Sequence, residues 1–303
     1  MTLTTTTAMN SDDVALTTMV RTITGTNSLS VQPLKTGQEA EVLAFLRERP
    51  LHTFVMGGHI LDNGLESPLN RGVFQACRDD EGKLEGVALI GHATLVETRS
   101  EEALACFARF ARSCPTAHMI MGEVAVMDQF WRHYACLGQA PRRFGRELLL
   151  ELQQPAEADE PSRYLRLATL DDLEQVMLIQ GEMAFAESGI NPLEADPIGF
   201  RLRCARRIEL RRVWVWVEDD RLIFKADVIS ETPQVVYLEG IYVDPKERSQ
   251  GYGSRCMSQL SRNLLNRTNS LCIFVNVESR RARVFFERIG FKLRGCYDTV
   301  FMA

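Results

Sequence analysis

The chain has 303 residues, of which 45% are hydrophobic and 25% are charged, and its formal net charge is -5 at pH 7. This composition is typical of a soluble globular protein, and the length allows two domains of about 150 residues each. The negative charge argues against general binding to nucleic acid, because contact with phosphates needs a basic face.

The first half of the sequence predicts a tail followed by one α/β unit. Residues 1–28 are rich in Thr, Ser and Asn, which is typical of a flexible tail. Over residues 29–154 the spacing of apolar residues changes between the periods of helices and strands, and Pro50 is expected to end the first helix. The predicted elements are a helix at 38–49, strands at 72–78 and 86–90, a helix at 101–112, a strand at 118–122, a helix at 127–136 and a strand at 147–152.

After an acidic, proline-containing linker at 155–162, a similar order of elements begins again and continues over residues 163–303. Thr169 is expected to cap the first helix of this part, and the acidic turn at 218–220 to close a hairpin. We therefore predict an α/β protein made of two tandem copies of one fold, the first much altered. The predicted elements are strands at 164–167, 213–217, 222–228, 234–243 and 271–277, helices at 169–187, 197–210, 253–266 and 281–288, and closing strands to residue 302.

The eight cysteines are scattered, and no two of them have the C-x-x-C spacing. This argues against zinc sites and thioredoxin-like redox sites, and it favours reduced thiols in a cytosol. The sequence has no run of about 18 apolar residues and no basic start followed by an apolar stretch, so neither a membrane span nor a signal peptide is predicted. We expect a cytoplasmic protein that binds neither membranes nor nucleic acid and holds no metal.

The most informative segment is L-E-G-I-Y-V-D-P-K-E-R-S-Q-G-Y-G-S at 238–254, in which a strand passes into a helix through R-S-Q-G-Y-G. Gly251 and Gly253 lack a Cβ, so the backbone can curl tightly and approach a ligand closely. Amide groups that converge at a helix N-terminus favour a bound anion such as a pyrophosphate. Two glycines in a turn are also common loop punctuation, and the motif matches neither the dinucleotide fingerprint nor the Walker pattern.

A second segment, F-V-N-V-E-S-R-R-A-R-V-F-F-E-R-I-G-F at 274–291, follows at a matching distance. Together the two segments resemble the two signature regions of the GNAT superfamily of N-acetyltransferases, over residues 164–303. The first half resembles, in layout alone, a degenerate GNAT-like domain that precedes the catalytic one in some bacterial acetyltransferases. The resemblance implies a mixed, splayed sheet flanked by helices, with acetyl-CoA as the cofactor of the second half. The first half lacks R-x-x-G-x-G, so we expect it to bind no coenzyme A.

The resemblance also implies which residues contact the cofactor. The backbone of the strand would pair with the pantetheine arm, the amides of the glycine loop would hold the pyrophosphate, an asparagine would face the pantetheine, and three residues of the last helix would line the outer wall of the groove. In that order these are Ile241, Tyr242 and Val243; Arg248, Ser249, Gln250, Gly251, Tyr252, Gly253 and Ser254; Asn276; and Ala282, Phe285 and Phe286.

Two positions depart from the family pattern. Ser279 stands where an asparagine is common, and Phe286 stands where a tyrosine is often taken as the general acid. Phenylalanine cannot donate a proton, but the leaving thiol has a pKa of about 8.5, so a donor assists without being indispensable. Tyr242, Tyr297 or a water could take this role.

An alkyl amine of pKa about 10.4 arrives protonated and must lose a proton before it attacks. All five histidines lie in the first half, so a base within the second half must be a carboxylate, a tyrosine or a water. Glu239 is the best candidate, because it lies on the strand that leads to the glycine loop, and alternation puts it on the face of Ile241 and Val243. A surface or ion-paired glutamate is an equally good interpretation.

The loop at 189–196 is where the family shapes its acceptor pocket. Glu182, Glu187 and Glu194 lie near it and would suit a cationic amine, although acidic residues are common near helix ends. Trp214 and Trp216 alternate on one strand, which core packing or a homodimer contact explains better than ligand stacking.

The sequence therefore favours an N-acetyltransferase that moves an acetyl group from acetyl-CoA onto the amine of a small molecule or peptide by direct attack. The alternative is a non-catalytic acyl-CoA sensor or interaction module, which the residues at positions 279 and 286 motivate. A third hypothesis keeps the enzyme but changes the acceptor or the acyl group.

Overall fold

The computed structural model describes residues 29–135, 141–154, 162 and 164–302. The predicted tail at 1–28, the end of the helix predicted at 127–136 and all but one residue of the predicted linker at 155–162 lie outside the described residues. Within them the fold is a large mixed sheet flanked by helices, so the predicted fold class is confirmed.

The first half of the described chain contributes six strands and four helices. The strands are β1 (Ser30–Pro33), β2 (Gly72–Arg78), β3 (Leu84–Gly91), β4 (Ala93–Thr98), β5 (Met119–Glu123) and β6 (Arg143–Leu152), and the helices are α1 (Glu39–Leu46), α2 (Pro50–Asn63), α3 (Glu101–Arg112) and α4 (Val124–Tyr134).

The second half of the described chain contributes six further strands and five helices. The strands are β7 (Arg166–Leu167), β8 (Val213–Glu218), β9 (Arg221–Glu231), β10 (Val235–Val243), β11 (Ser270–Asn276) and β12 (Lys292–Phe301), and the helices are α5 (Leu173–Ser188), α6 (Pro192–Ala195), α7 (Pro197–Glu209), α8 (Tyr252–Leu265) and α9 (Arg280–Ile289).

Three elements of the first half, β1, α2 and β4, were not predicted from the sequence. The expectation that Pro50 ends a helix is wrong in part: α1 ends at Leu46, and Pro50 is the first residue of α2. Proline suits this position because its φ is already helical and the first amide of a helix has no intrahelical acceptor. Gly58 interrupts the apolar pattern of α2, and a Cβ there would lie 2.0 Å from the hydroxyl oxygen of Ser230. This glycine lets α2 lie close against β9 of the second half.

Local capping and turn signals in the second half are confirmed. Thr169 forms a capping box with Asp172 at the start of the segment that leads into α5. Asp219 and Asp220 have φ of 47° and 56°, and two successive residues with positive φ are what a two-residue hairpin turn requires. Trp216 is buried in the core of the second half, in agreement with the core-packing interpretation.

The two halves exchange their last strands. The strand order is β1-β2-β3-β4-β5-β12-β6-β11-β10-β9-β8-β7. Strand β6 of the first half pairs with β11 of the second, and the final strand β12 pairs with β5 of the first. Strands β6 and β12 also pair with each other, which joins the two half-sheets into one. Leu148, Leu150 and Leu152 of β6 are therefore buried in the core of the second half.

The sheet opens where β10 and β11 diverge. They pair in parallel only from Val235 to Tyr237, whereas β10 stays paired with β9 as far as Val243. Beyond Tyr237 the free edge of β10 borders a gap beside β11. Strands β4 and β5 diverge in the same way after pairing only at Ala93 and Thr94. The two halves thus repeat one pattern of splayed strands.

Different helices cover the two faces of the second half-sheet. Helices α8 and α9 pack on the face that carries Leu238, Ile241 and Val243. On the opposite face, Phe54 of α2 packs against Tyr237, with 5.0 Å between the ring centroids. Helices α5 and α7 form a further cluster with β8, on the side of β10 where Tyr242 packs.

None of the helices in the described ranges is long and apolar enough to cross a membrane. Among the same residues, no group of three or more His, Cys, Asp or Glu side chains has the arrangement of a metal site. The seven cysteines that the structure describes are all free thiols.

Candidate active site

The glycine loop leads from the open edge of β10 into helix α8. Ser249 and Gly251 have φ of 66° and 83°, and Gly251 is the N-cap residue of α8. The first hydrogen bond of the helix runs from the Arg255 N–H to the Gly251 carbonyl oxygen over 3.1 Å, and no side chain caps this end. Because the amides of the first turn have no intrahelical acceptor, they are able to donate hydrogen bonds to a group beside the gap.

The two glycines of the loop have different functions. A Cβ on Gly251 would have no atom within 4 Å, so its contribution is the positive φ that turns the chain into α8. A Cβ on Gly253 would lie 3.0 Å from Val243 and 3.2 Å from the Phe285 ring. Gly253 therefore allows α8 to pack against β10 and α9. This corrects the expectation that both glycines serve the approach of a ligand.

The backbone conformation of the loop leaves its outer surface open. Arg248 turns back and donates from Nε to the Val243 carbonyl oxygen over 3.1 Å, which fixes the start of the loop. The Gln250 amide donates to the Glu247 carboxylate over 3.0 Å. The exposed residues of the loop are Arg248, Ser249, Gln250, Gly251 and Ser254, whereas Tyr252 is half-buried and Gly253 is buried.

The second signature segment forms the other side of the gap. Asn276 is exposed at the end of β11, where its side-chain oxygen accepts from the Glu278 N–H over 2.9 Å. Ala282 and Phe285 are half-buried on α9, facing the core of the second half. Phe286 is 7% exposed and packs among the aromatic residues of that core, so its ring is a core side chain rather than an open groove wall. Ser279 is the N-cap residue of α9 and makes no capping hydrogen bond from its side chain.

A bulge in β10 places Glu239 on the face opposite to the one that strand alternation predicts. The register of β10 against β9 shifts between Glu239 and Tyr242, and Gly240 has a φ of 61°. After the bulge, Ile241 and Val243 face α8 and α9. Glu239 instead lies on the face of Tyr237, whose hydroxyl donates to it over 3.2 Å. The predicted shared face is therefore wrong, because one extra residue reverses the alternation.

A buried charge network holds this bulge in place. Lys225 is fully buried, and its Nζ donates to the side-chain oxygen of Gln180 over 2.7 Å and to the Gly240 carbonyl oxygen over 3.3 Å. The same Nζ lies 2.8 Å from the carboxylate of Asp227, which also accepts from Arg207 over 2.8 Å. A Cβ on Gly240 would lie 2.7 Å from Lys225 Nζ. This network was not predicted from the sequence, although a lysine within an apolar strand and a glycine inside the next strand were signals of it.

Three glutamates converge beside the gap from three different elements. Glu239 comes from β10, Glu187 from the end of α5 and Glu147 from the exchanged strand β6. The Thr299 hydroxyl donates to Glu147 over 3.1 Å. Within the described chain, no arginine or lysine forms an ion pair with any of the three, and the nearest positive charges, those of Arg143 on Glu187 and of Arg207 on Glu239, act at longer range. Sequence analysis named Glu239 and Glu187 but missed Glu147, which only the strand exchange brings here.

Burial and nearby negative charges change the proton affinity of Glu147 and Glu187. Burial raises the pKa of Glu147, and the charge of Glu239 raises it further. Glu187 is an exposed residue, but the protein atoms around its carboxyl reduce its hydration and raise its pKa to about 7, and the charges of Glu239 and Glu147 add to this effect. Because like charges in one site disfavour full ionisation, the cluster holds a proton near neutral pH and attracts a cation.

The first half has a glutamate at the equivalent position, but its environment is different. Glu97 lies four residues after the first parallel pair of β4, as Glu239 does in β10. Glu97 is 4% exposed and forms ion pairs with both Arg49 and Arg99. Helix α3, the counterpart of α8, is capped by the Ser100 hydroxyl, which accepts from the third amide of the helix over 3.2 Å. The free carboxylate and the uncapped helix thus occur together only in the second half of the described chain.

The predicted tyrosines lie in different places. Tyr242 is half-buried on the α5 side of β10, the same side as Glu239, and burial raises the pKa of its hydroxyl. Tyr297 lies on β12, where its hydroxyl is 2.6 Å from Nδ1 of His52 and its ring packs on Phe274. Tyr242 lies near the start of the glycine loop, where the charge of Arg248 acts on its hydroxyl, whereas Tyr297 lies at the junction of the two halves.

The remaining predicted acidic residues are not part of the cluster. Glu194 is on α6, where the side chain of Asn191 donates to it over 2.9 Å. Glu182 is exposed on α5, and its charge acts on Tyr242.

Comparisons with known proteins agree with this geometry. Residues 209–293 match the family of acetyltransferase (GNAT) domains. A tandem GNAT protein of the clavulanic acid biosynthesis pathway has a similar fold, with a TM-score of 0.58 and 12% identity over 90% of this chain and 98% of that protein.

Two further solved structures have the same fold. An acetyltransferase of the GNAT family from Colwellia psychrerythraea matches with a TM-score of 0.53 and 12% identity, over 90% of this chain and 100% of that one. A GCN5-related N-acetyltransferase from Sphaerobacter thermophilus matches with a TM-score of 0.55 and 12% identity, over 90% of this chain and 94% of that one. A search of curated protein sequences found no match.

Proposed function

We propose that this chain, which belongs to the tandem type of the GNAT superfamily, transfers an acetyl group from acetyl-CoA to a cationic amine, in a site of its second half. The observation that carries the proposal is the cluster of unpaired carboxylates beside the uncapped end of α8 and the open edge of β10. An anion site and an amine site are thus adjacent, and acyl transfer to an amine needs both.

The residues present fit acetyl-CoA. The amides of 248–254 would hold the pyrophosphate, and the free backbone edge of 241–243 would pair with the pantetheine arm, since β10 has no partner on that side beyond Tyr237. Asn276, Ala282 and Phe285 would border the same gap. When bound, the cofactor supplies the acetyl thioester. We assign this site to a catalytic domain at 163–303, after an altered domain at 29–154 and a linker at 155–162, and the free thiols support a cytoplasmic location.

Replacement of Gly251 by valine is expected to weaken coenzyme A binding at least tenfold. A branched side chain is strained at a φ of 83°, so the loop would rearrange and move its amides. Titration calorimetry with coenzyme A measures the effect. Gly82→Val is a matched control, because Gly82 has a φ of 82° and equally open surroundings but lies in the first half. Undiminished affinity in Gly251→Val would contradict the placement of the pyrophosphate.

The carboxylate cluster supplies the base. Glu239 is the proposed proton acceptor, because it lies on the strand that borders the cofactor gap and is fixed by the Tyr237 hydroxyl. Glu147 and Glu187 attract the ammonium group and raise the proton affinity of the site. Tyr242 is the proposed proton donor to the leaving thiolate, because it lies on the strand that borders the cofactor gap and near the start of the glycine loop.

The pH dependence of turnover is expected to report this cluster. Because the pKa of Glu187 is about 7, kcat should rise as the pH increases through that value and the cluster loses a proton. Glu187→Gln removes a negative neighbour, so the remaining carboxyl groups should ionise more easily. The rising part of the kcat–pH profile should then move to lower pH by roughly one unit. Profiles of kcat against pH test this. Glu174→Gln, an exposed change on the same helix, should leave the rising part of the profile in place. An unchanged profile in Glu187→Gln would refute the coupling between the carboxyl groups of the cluster.

Turnover with a panel of primary amines tests the function itself. Release of free thiol from acetyl-CoA that requires the amine supports the enzyme. A second candidate is a non-catalytic acyl-CoA sensor, which the burial of Phe286 at the usual tyrosine position favours. Tight binding of acetyl-CoA with no amine-dependent thiol release from any member of the panel would support the sensor.

A further inference from the structure

A second cavity lies in the first half, at the junction with the exchanged strand β12. It has a volume of about 60 Å³ and opens where β4 and β5 diverge. Its apolar wall includes Leu95, Met121 and Val126, and its polar wall includes His52 and Tyr297. This position in the first half corresponds to that of the β10–β11 gap in the second.

The cavity suits one end of a ligand rather than a whole ligand. Its volume exceeds the 10–15 Å³ or so that one water needs, but it is far below the roughly 300–1,000 Å³ of pockets that enclose complete small molecules. The adjoining helix α3 is capped by Ser100, so the amides that would receive a pyrophosphate are less available. A ligand that enters the cavity must therefore extend out of it.

A row of polar side chains connects the cavity with the carboxylate cluster. Asn276 of β11, Glu147 of β6, Tyr297 of β12 and Glu123 of β5 are successive partners across four neighbouring strands. Directly paired residues project on the same face, and neighbouring strands are about 4.8 Å apart. The distance from the β10–β11 gap to Tyr297, at the polar end of the cavity, is therefore two to three strand spacings, on the order of 10–14 Å. Phe274, which also lines the cavity, packs on both Tyr237 and Tyr297 along this path.

The polar end of the cavity favours a neutral group. Arg49 forms ion pairs with both Glu97 and Glu123, and Arg99 with Glu97, so the charges there are balanced. Burial lowers the pKa of His52 and raises the pKa of Tyr297, which leaves both side chains uncharged at neutral pH. Their contact over 2.6 Å uses one donor and one acceptor, and the pair keeps one more N–H or O–H donor and an oxygen lone pair for a ligand. A hydroxyl group, which both donates and accepts, matches this pair.

We propose that the cavity beside His52 and Tyr297 receives the far end of the acyl acceptor, which is an elongated primary amine with a neutral hydrogen-bonding group about 10–14 Å from its nitrogen. The inference rests on the proposed function for the position of the amine. It assigns the first half a role in acceptor selection, and it makes Tyr297 a specificity residue rather than an acid in the transfer.

Binding of two matched series of amines tests this proposal without requiring turnover. Linear amino alcohols and n-alkylamines of two to ten carbons are titrated calorimetrically into the protein saturated with coenzyme A. Beyond a threshold length, the hydroxyl-ended amines are expected to bind about fivefold to twentyfold more tightly than the methyl-ended ones, as one buried hydrogen bond provides. Tyr297→Phe should remove that preference and leave the shortest amines unaffected. Val126→Phe, which fills the cavity, should weaken only the longest members.

The outcomes separate the two proposals. Equal affinities of the two series at every length, or equal losses for short and long amines in Tyr297→Phe, would overturn the distal site. A length-dependent hydroxyl preference that occurs without any acetyl transfer would support the distal site while refuting the enzyme. A uniform loss of kcat in Tyr297→Phe, with unchanged affinities, would assign Tyr297 to the chemistry instead. Tyr164→Phe, at an exposed position, is the control for the loss of a tyrosine hydroxyl.

Discussion

Glu239→Gln is expected to lower kcat by roughly 100-fold to 10,000-fold, the range that general bases contribute. Glutamine keeps the size of the side chain and still accepts the hydrogen bond from Tyr237, but its amide cannot take a proton from the ammonium group. The affinity for coenzyme A should stay within about twofold, because the change lies outside the glycine loop. Steady-state acetylation of a primary amine and calorimetry with coenzyme A measure the two effects.

The control for this change is Glu231→Gln. Glu231 is the last residue of β9, and it forms an ion pair with Arg267 over 2.9 Å, outside the carboxylate cluster. The Glu231→Gln change removes one negative charge from the same sheet and should leave kcat nearly unchanged. A Glu239→Gln protein with the kcat of the unmodified chain would show that another group, or water, takes the proton.

The two halves show how neighbouring residues decide whether a glutamate at this position can act as a base. Glu97 and Glu239 occupy equivalent positions on splayed strands. Arg49 and Arg99 form ion pairs with Glu97, whereas Glu239 has only the neutral Tyr237 hydroxyl as its hydrogen-bond partner in the described chain. The carboxylate of Glu97 is therefore already paired with the protein's own arginines, while that of Glu239 is available to the ammonium group of a ligand.

The sequence predicted the parts of the candidate site that depend on local backbone chemistry. Gly251 marks a left-handed turn, and the residues around it mark the passage from a strand to a helix, so the loop and the start of α8 could be located from spacing alone. Glu239 was found because it lies on the strand that leads to that loop. The capping box at Thr169 belongs to the same class, since its partner is three residues away.

The parts that depend on pairing between distant strands could not be predicted. Glu147 belongs to the first half by sequence and to the second half by structure, because β6 pairs with β11. An alternating apolar strand fits several neighbours equally well, so its own pattern does not identify its partner. The position of Tyr297 beside His52 has the same cause, since β12 is the other strand of the exchange.

The orientation of Glu239 was predicted wrongly for a third reason. Alternation holds only while a strand is regular, and Gly240 interrupts β10 with a bulge. The residue that stabilises this bulge, Lys225, is fifteen positions earlier on a neighbouring strand. A glycine inside a strand was a signal of irregularity, but its consequence for the face of Glu239 depends on that partner.

Lys225→Met is expected to lower the free energy of unfolding by about 3 kcal/mol. The change leaves the buried Asp227 with one partner fewer, and it removes the donor to the Gln180 side chain and to the Gly240 carbonyl oxygen. Methionine fills a similar volume, so lost packing is a minor contribution. Urea denaturation measures the change, and Lys292→Met, at an exposed position, should alter stability by less than about 0.5 kcal/mol.

If the network also positions Glu239 through the bulge, the folded Lys225→Met protein should show a lower kcat with an unchanged affinity for coenzyme A. If Lys225→Met unfolds at the same urea concentration as the original chain, the bulge does not depend on this buried charge. If the variant loses stability but keeps its kcat, the bulge positions Glu239 without Lys225.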